Sequence, residues 1–177
     1  MDSNGSNTTA AAAVLACRKH VPLTGANVLI LAGTGPVGHR AAQILAAEGA
    51  EVRVGSRTRD KAEQTCFAIA KVLSAARVTP VATGTDVELA EACDGVSLII
   101  AAGAAGIELL SAERRASLKS LKVAADLNAV PPLGIGGVEV MDKAKDRDGQ
   151  LCYGAIGVGA DSHNQRIQVF RYLGGQP

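Results

Sequence analysis

The residues whose type and spacing could do chemistry are concentrated in one short turn, Gly33-Thr34-Gly35-Pro36-Val37-Gly38. Glycines at this spacing let a chain turn tightly, bring bare backbone against a ligand and start a helix close to its support. A helix starting here presents unpaired N–H groups and the positive end of its dipole, which together suit a phosphate. The spacing alone is a weak signal, because glycine-rich turns also serve as plain connections. Its setting strengthens it. The apolar run Asn27 to Ala32 comes before it, the helix-forming segment Val37 to Glu48 follows, and a second apolar run starts at Glu51. Strand, glycine turn, helix and strand in that order seat the pyrophosphate of a dinucleotide cofactor. Gly33, Thr34, Gly35, Pro36, Val37 and Gly38 are therefore the first candidate cofactor contacts.

The end of the second strand bears on which dinucleotide. A site for NAD usually places Asp or Glu about 20 residues after the glycine motif, on the ribose 2′-hydroxyl. This chain instead reads Gly55-Ser56-Arg57-Thr58-Arg59, with Lys61 just beyond. The Ser56 hydroxyl, the Arg57 guanidinium and the Lys61 ammonium suit a 2′-phosphate, and the stretch from Gly55 to Arg59 holds no carboxylate to repel it. The expected cofactor is NADP, with NAD as the alternative. The plainer reading of Arg57 is a surface arginine at a helix start.

Three further loops fall after expected strands, where open α/β sheets bind ligands. Ala102 and Gly103 begin a small-residue loop that could lie against the nicotinamide ribose, or could be only a turn. Asp126 and Asn128 could bond a ribose or substrate, or act as Asx-turn residues. The segment Gly154 to Gly159 could set Ile156 beside the nicotinamide ring, or be a plain buried strand. At the other end, Asn4, Ser6 and Asn7 could present amides and a hydroxyl to a substrate, or serve as helix caps. No nucleophile–base pair or carboxylate dyad is visible. The four cysteines and three histidines show no metal-ligand spacing, so no metal is expected. That inventory fits hydride transfer, where cofactor and substrate supply the reacting atoms, and fits a non-catalytic binding module equally well.

The elements that position these residues follow from the pattern. Apolar residues make up 47% of the 177, yet aromatics only 2%, so the core must be built from Ala, Val, Ile and Leu. Such a core suits parallel strands buried under helices of small residues. Strands are predicted at Asn27 to Ala32, Glu51 to Gly55, Arg77 to Ala82, Val96 to Ala101, Leu121 to Ala125 and Leu151 to Val158. Helices are predicted from the polar cap segment Asp2 to Thr9 on to Lys19, and over Val37 to Glu48, Thr58 to Leu73, Asp86 to Ala92 and Ile107 to Leu118. Asp142 to Gly149 reads as a charged, solvated stretch, and a last helix or strand runs from Gln165 to Leu173. The expectation is one α/β domain over residues 1–177, a Rossmann-type doubly wound parallel sheet of about six strands with helices on both faces. A net charge of +1 gives no field for nucleic acid or an anionic membrane. No apolar run reaches the roughly 20 residues of a spanning helix. The N-terminus lacks the basic region of a signal peptide, so a cytoplasmic setting is expected.

Beyond these general features, DSNGSNTTAAAAV, VLILAGTGPVGHRAAQILAAEGAEV, SRTRDKA, IIAAGAAGIELL, ADLNAVPPLGIGGVEVMDK and YGAIGVG occur in order from Asp2 to Gly159. In these segments the chain resembles the nicotinamide-dependent methylene-tetrahydromethanopterin dehydrogenases. The resemblance implies hydride transfer from a pterin-type substrate to NADP or NAD. It implies pyrophosphate binding at Gly33 to Gly38 and a 2′-phosphate on Ser56, Arg57 and Lys61. It also implies a pterin cleft faced by Asn4, Ser6 and Asn7, and a nicotinamide bordered by the loops of Ala102 and Ile156. Two departures stand out. The family's N-terminal pterin-side domain is absent before Met1, and no lysine follows Lys145, where the family carries a lysine-rich stretch. The expected partners are a pterin-type substrate and either a second copy of the chain or a separately encoded N-terminal partner. The alternative is a stand-alone NADP-binding module without dehydrogenase activity.

Overall fold

The computed structural model describes residues 5–159. The candidate Asn4 and the segment Gln165 to Leu173 therefore lie outside the described residues. In chain order the elements are α1 (Ser6–Cys17), β1 (Asn27–Leu31), α2 (Pro36–Ala47), β2 (Glu51–Ser56), α3 (Arg59–Val72) and β3 (Arg77–Ala82). Next come α4 (Asp86–Cys93), β4 (Leu98–Ala101), α5 (Ala112–Ser117), β5 (Val123–Asp126), β6 (Lys145–Arg147), β7 (Gln150–Tyr153) and α6 (Ala155–Gly159).

The strands form one seven-stranded sheet in the order β3-β2-β1-β4-β5-β7-β6. Every neighbouring pair is parallel except the antiparallel pair β6 and β7. This is the Rossmann-type α/β arrangement. The order reverses between β1 and β4, and the reversal opens a crevice above their carboxyl ends, where such sheets take ligands.

Strand β1 shows why the sheet is buried on both faces. Val28 and Ile30 join a cluster with Ala41 and Leu45 of α2 and with the α1 residues Ala13 and Val14. Leu29 and Leu31 point the other way, into a cluster with Leu89, Cys93, Leu110 and Ile135. All four strand residues are at most 1% exposed, so the apolar run NVLIL has no polar face to alternate with. Small side chains let α1 lie close to α2: Ala10, Ala11 and Ala13 are fully buried.

Four expectations need correction. Helix α1 starts at Ser6, with left-handed Gly5 as its cap (φ 73°), so Ser6 and Asn7 form its first turn rather than a loop before it. The predicted helix Ile107 to Leu118 is shortened to Ala112–Ser117, because Leu110 is drawn into a bridge with Ile135. The predicted strand Leu151 to Val158 ends at Tyr153, and the chain turns into α6. There a Cβ on Gly154 or Gly157 would collide with the backbone of Glu139, Val140 and Asp142, and Gly154 N–H donates to Asp142 O at 2.9 Å.

The stretch Asp142 to Gly149 is also more than solvated charge. It contains β6, and Asp142 is only 7% exposed. Its Oδ2 accepts from Arg147 Nε at 2.6 Å and from Glu139 N–H at 2.8 Å, while Oδ1 accepts from Arg147 Nη2 at 2.8 Å. Arg115, 2% exposed, ties the hairpin to α5. It donates to Gln150 Oε1 at 2.7 Å, Asp148 Oδ2 at 2.7 Å, and the carbonyls of Arg147 and Gly136 at 3.1 and 3.2 Å. Among the described residues no helix is long and apolar enough to cross a membrane.

Candidate functional site

The glycine turn leaves β1 through Ala32, which adopts a left-handed conformation (φ 53°) that an L side chain enters at some cost. Gly33 N–H then donates to Gly55 O at 2.8 Å, fastening the turn to the end of β2. The three motif glycines have different reasons to be glycine. A Cβ on Gly33 would stand 2.9 Å from Val54 Cγ1, and one on Gly38 would stand 2.7 Å from Gly33 Cα. Both positions are closed by packing. A Cβ on Gly35 would meet nothing nearer than Ala32 O at 3.8 Å and Ala102 O at 3.9 Å. Nothing in the protein requires glycine at 35, so the open space beside it fits a group that must approach the backbone. The helix head reinforces this fit. Pro36 opens α2 and has no N–H, while Val37 and Gly38 lie in the first turn, whose N–H groups have no intrahelical acceptor.

A cleft of about 520 Å³ extends from this turn across the carboxyl ends of the strands. It gathers Thr34 from the turn, Ser56, Arg57 and Lys61 from the β2–α3 junction, and Gly103 from the loop after β4. Ser56 is buried (6% exposed) at the last position of β2. Arg57 and Lys61 are exposed, and neither has an ion-pair partner among the described residues. Their neighbour Arg59 does, with Glu63 Oε1 at 3.0 Å. Two cations without an ion-pair partner therefore remain in a cleft that the carboxylates Asp86 and Glu108 also line.

The opposite wall comes from residues that motif reasoning had not singled out: Thr83, Gly84, Thr85 and Leu89. Glu88 Oε2 accepts from the N–H groups of Gly84 at 3.1 Å and Thr85 at 2.9 Å, and Thr85 Oγ1 accepts from Glu88 N–H at 3.3 Å. This capping box is readable in the sequence as Thr85-Asp86-Val87-Glu88. It holds the loop against the β2–α3 junction, where Thr83 N–H donates to Ser56 O at 2.8 Å.

The loop after β5 is self-contained. Asp126, 1% exposed, accepts from Asn128 N–H at 3.0 Å and Ile135 N–H at 2.9 Å. Burial pushes its carboxyl above the usual range, against the pull of backbone N–H groups from Asn128, Ile135 and Gly134. Asn128 Oδ1 accepts from Val130 N–H at 2.9 Å, and its Nδ2 donates to Pro132 O at 3.2 Å. Of its two sequence readings, the Asx turn is the one seen in this geometry. Ala102 lies half-buried beside Gly35, and Ile156 is exposed on the first turn of α6. Ser6 and Asn7, half-buried at the head of α1, do not line the cleft.

All four cysteines are buried and free. Burial pushes the Cys17 thiol up to about 12, and burial with the Glu63 charge pushes Cys66 up to about 11, so neither is a thiolate nucleophile at neutral pH. No cluster of metal-binding side chains occurs among the described residues.

A parallel sheet with a glycine-rich turn and an open helix head at its switch point defines an α/β domain of the Rossmann type. The fold is shared with the transhydrogenase from Sinorhizobium meliloti, at a TM-score of 0.68 and 18% identity over 97% of this chain and 55% of that one. Comparison with protein-family models gives no match. Two proteins of Methylorubrum extorquens narrow the class. The bifunctional protein MdtA is 44% identical over 161 residues, covering 90% of this chain and 56% of that protein. The NAD(P)-dependent methylenetetrahydromethanopterin dehydrogenase is 35% identical over 182 residues, covering 97% of this chain and 61% of that protein. Over the part they share, this chain is similar to the methylenetetrahydromethanopterin dehydrogenases. It spans little more than half the length of those relatives.

Proposed function

We propose that this chain is the cofactor-binding part of an NADP-dependent dehydrogenase acting on methylene-tetrahydromethanopterin. The observation that carries the cofactor assignment is the cleft that joins Thr34 of the glycine turn, next to the open backbone at Gly35, to Ser56, Arg57 and Lys61. In this reading the first-turn N–H groups of α2 hold the pyrophosphate, and the β2–α3 junction holds the 2′-phosphate. The wall of Thr83 to Leu89 flanks the adenine. Gly103, Ala102 and Ile156 border the nicotinamide, and Asn128 acts by shaping the adjoining loop. A bound nicotinamide supplies the hydride acceptor, and the protein supplies orientation and a dry surface. Asn4, Ser6 and Asn7 would face the pterin, whose nitrogen stabilises the oxidised methenyl product without a protein acid or base.

The substrate assignment draws on the relatives' names, and the limited coverage of their length makes completion of the pterin cleft by further protein part of the proposal. The test is to mix the purified chain with NADP and methylene-tetrahydromethanopterin and follow absorbance of the reduced cofactor. Turnover by the chain, or turnover restored by an added N-terminal partner domain, is the expected result. Tight cofactor binding with no turnover in either mixture would replace the dehydrogenase with a binding module. Failure to bind either dinucleotide would refute both readings.

A further inference from the structure

Beside the cofactor cleft, between α2 and α3, lies a second hollow of about 430 Å³ that the reading above leaves unused. It is lined by Thr34, His39, Lys61, Gln64, Thr65 and Ala68. Thr34 and Lys61 line both spaces, so the hollow opens off the cleft at the point where an adenosine ribose on Ser56 would sit. Its walls can donate hydrogen bonds from an ammonium, an imidazole, an amide and a hydroxyl, and no carboxylate lines it. Of the two acids on α3, Asp60 and Glu63, neither lines it, and Glu63 is paired with Arg59. A chamber of donors with one cation and no anion is suited to a phosphate.

A 2′-phosphate has two directions to take from the ribose. On one side lies Arg57, exposed to solvent. On the other lies Lys61, likewise exposed, beside His39, which is half-buried one turn into α2 and lines the hollow with it. Charge-assisted hydrogen bonds are stronger where protein walls replace water. We propose that this hollow is the 2′-phosphate subsite and that His39 is a binding residue that discriminates NADP from NAD. Desolvation and the neighbouring Arg40 guanidinium hold the imidazole below its usual value, so at neutral pH it offers one ring N–H as a neutral donor. The inference rests on the NADP assignment and adds to it a residue outside the β2–α3 junction.

Dissociation constants of NADP and NAD for the wild-type chain, His39→Ala, His39→Gln and Arg57→Ala test it. His39→Ala is expected to weaken NADP about tenfold while leaving NAD within about twofold, and His39→Gln to retain part of the NADP affinity through its amide N–H. Unchanged NAD binding serves as the control for folding. Adenosine 2′,5′-bisphosphate and 5′-AMP as competitors should reproduce the split without the nicotinamide half. If the wild-type chain binds NADP and NAD equally, the NADP assignment itself falls. If it prefers NADP, and Arg57→Ala but neither His39 variant erodes that preference, the role of His39 is refuted and the assignment stands. A loss shared equally by NADP and NAD in His39→Ala would likewise overturn the subsite.

Discussion

Alanine at Gly35 and alanine at Gly38 should do opposite things to this protein, although both are single methyl groups in one glycine motif. Gly35 has φ −75° and ψ 167°, extended backbone that any residue can adopt. Its new methyl would be 3.8 Å from the nearest protein atom outside its neighbours, which is ordinary contact. Removing a glycine at a compatible position stabilises by about 0.4–1 kcal/mol, through the unfolded chain. Gly35→Ala should therefore melt at or slightly above the wild type. At Gly38 the methyl would be 2.7 Å from Gly33 Cα and 3.0 Å from Ala32 O. Neither atom can move without displacing the turn, and overpacking of this kind costs about 1–3 kcal/mol. At roughly 2–4 °C per kcal/mol for a domain this size, the midpoint should fall by about 2–12 °C. Binding should rank the other way for Gly35, because its methyl fills the space the pyrophosphate needs. A loss of at least about tenfold, or 1.4 kcal/mol, is expected. Thermal melts paired with dinucleotide titrations followed by fluorescence give both numbers. Wild-type affinity in Gly35→Ala would refute the placement of the pyrophosphate, and a large drop in its melting point would show that Gly35 serves packing.

Two stability predictions follow from the hairpin. Burial alone would raise the Asp142 carboxyl, but hydrogen bonds from Arg147 and Glu139 N–H, with the charges of Arg147 and Lys145, bring it below the usual carboxylate value. A depressed value in the folded state means stability that is present above the unfolded value near 3.9 and lost as pH falls through the folded one. The stability gap between the wild type and Asp142→Asn should thus be widest near neutrality and close below about pH 4; a gap independent of pH in urea titrations would contradict this. Arg115→Met should leave the Gly136 and Arg147 carbonyls and Gln150 Oε1 without their donor, at a cost of about 2–4 kcal/mol. An unchanged urea midpoint would show that water replaces the guanidinium freely.

The parts legible in the sequence were those that speak through local pattern. NVLIL is a short apolar run ended by glycines, and its burial on both faces follows directly. That Ser56 and Arg57 line the cleft could be expected because the glycine motif fixes where the second strand must end. The failures share a different cause. Lys145-Asp146-Arg147 has no apolar alternation, since β6 is an edge strand with little face to bury, and its pairing is set by β7. Asp142 looked solvated because its partner Arg147 becomes its neighbour only when the hairpin closes. Leu110 left its predicted helix for a contact with Ile135, across a loop no local window spans. His39 and Leu89 carry no motif and enter the site region only through the packing of α2 and α4 around the crevice.

The two edges of the sheet bear on assembly. On one side β3 carries Arg77 and, in its middle, Pro80, which offers no N–H to an incoming strand. On the other, β6 is three charged residues long, too short and too polar to template a neighbour. The sheet is thus closed to growth at both ends by its own covalent chemistry. Among the described residues the backbone ladder ends at β3 and β6, so copies of this protein, or the partner proposed above, are expected to meet it through helix faces or through the loops above the strands.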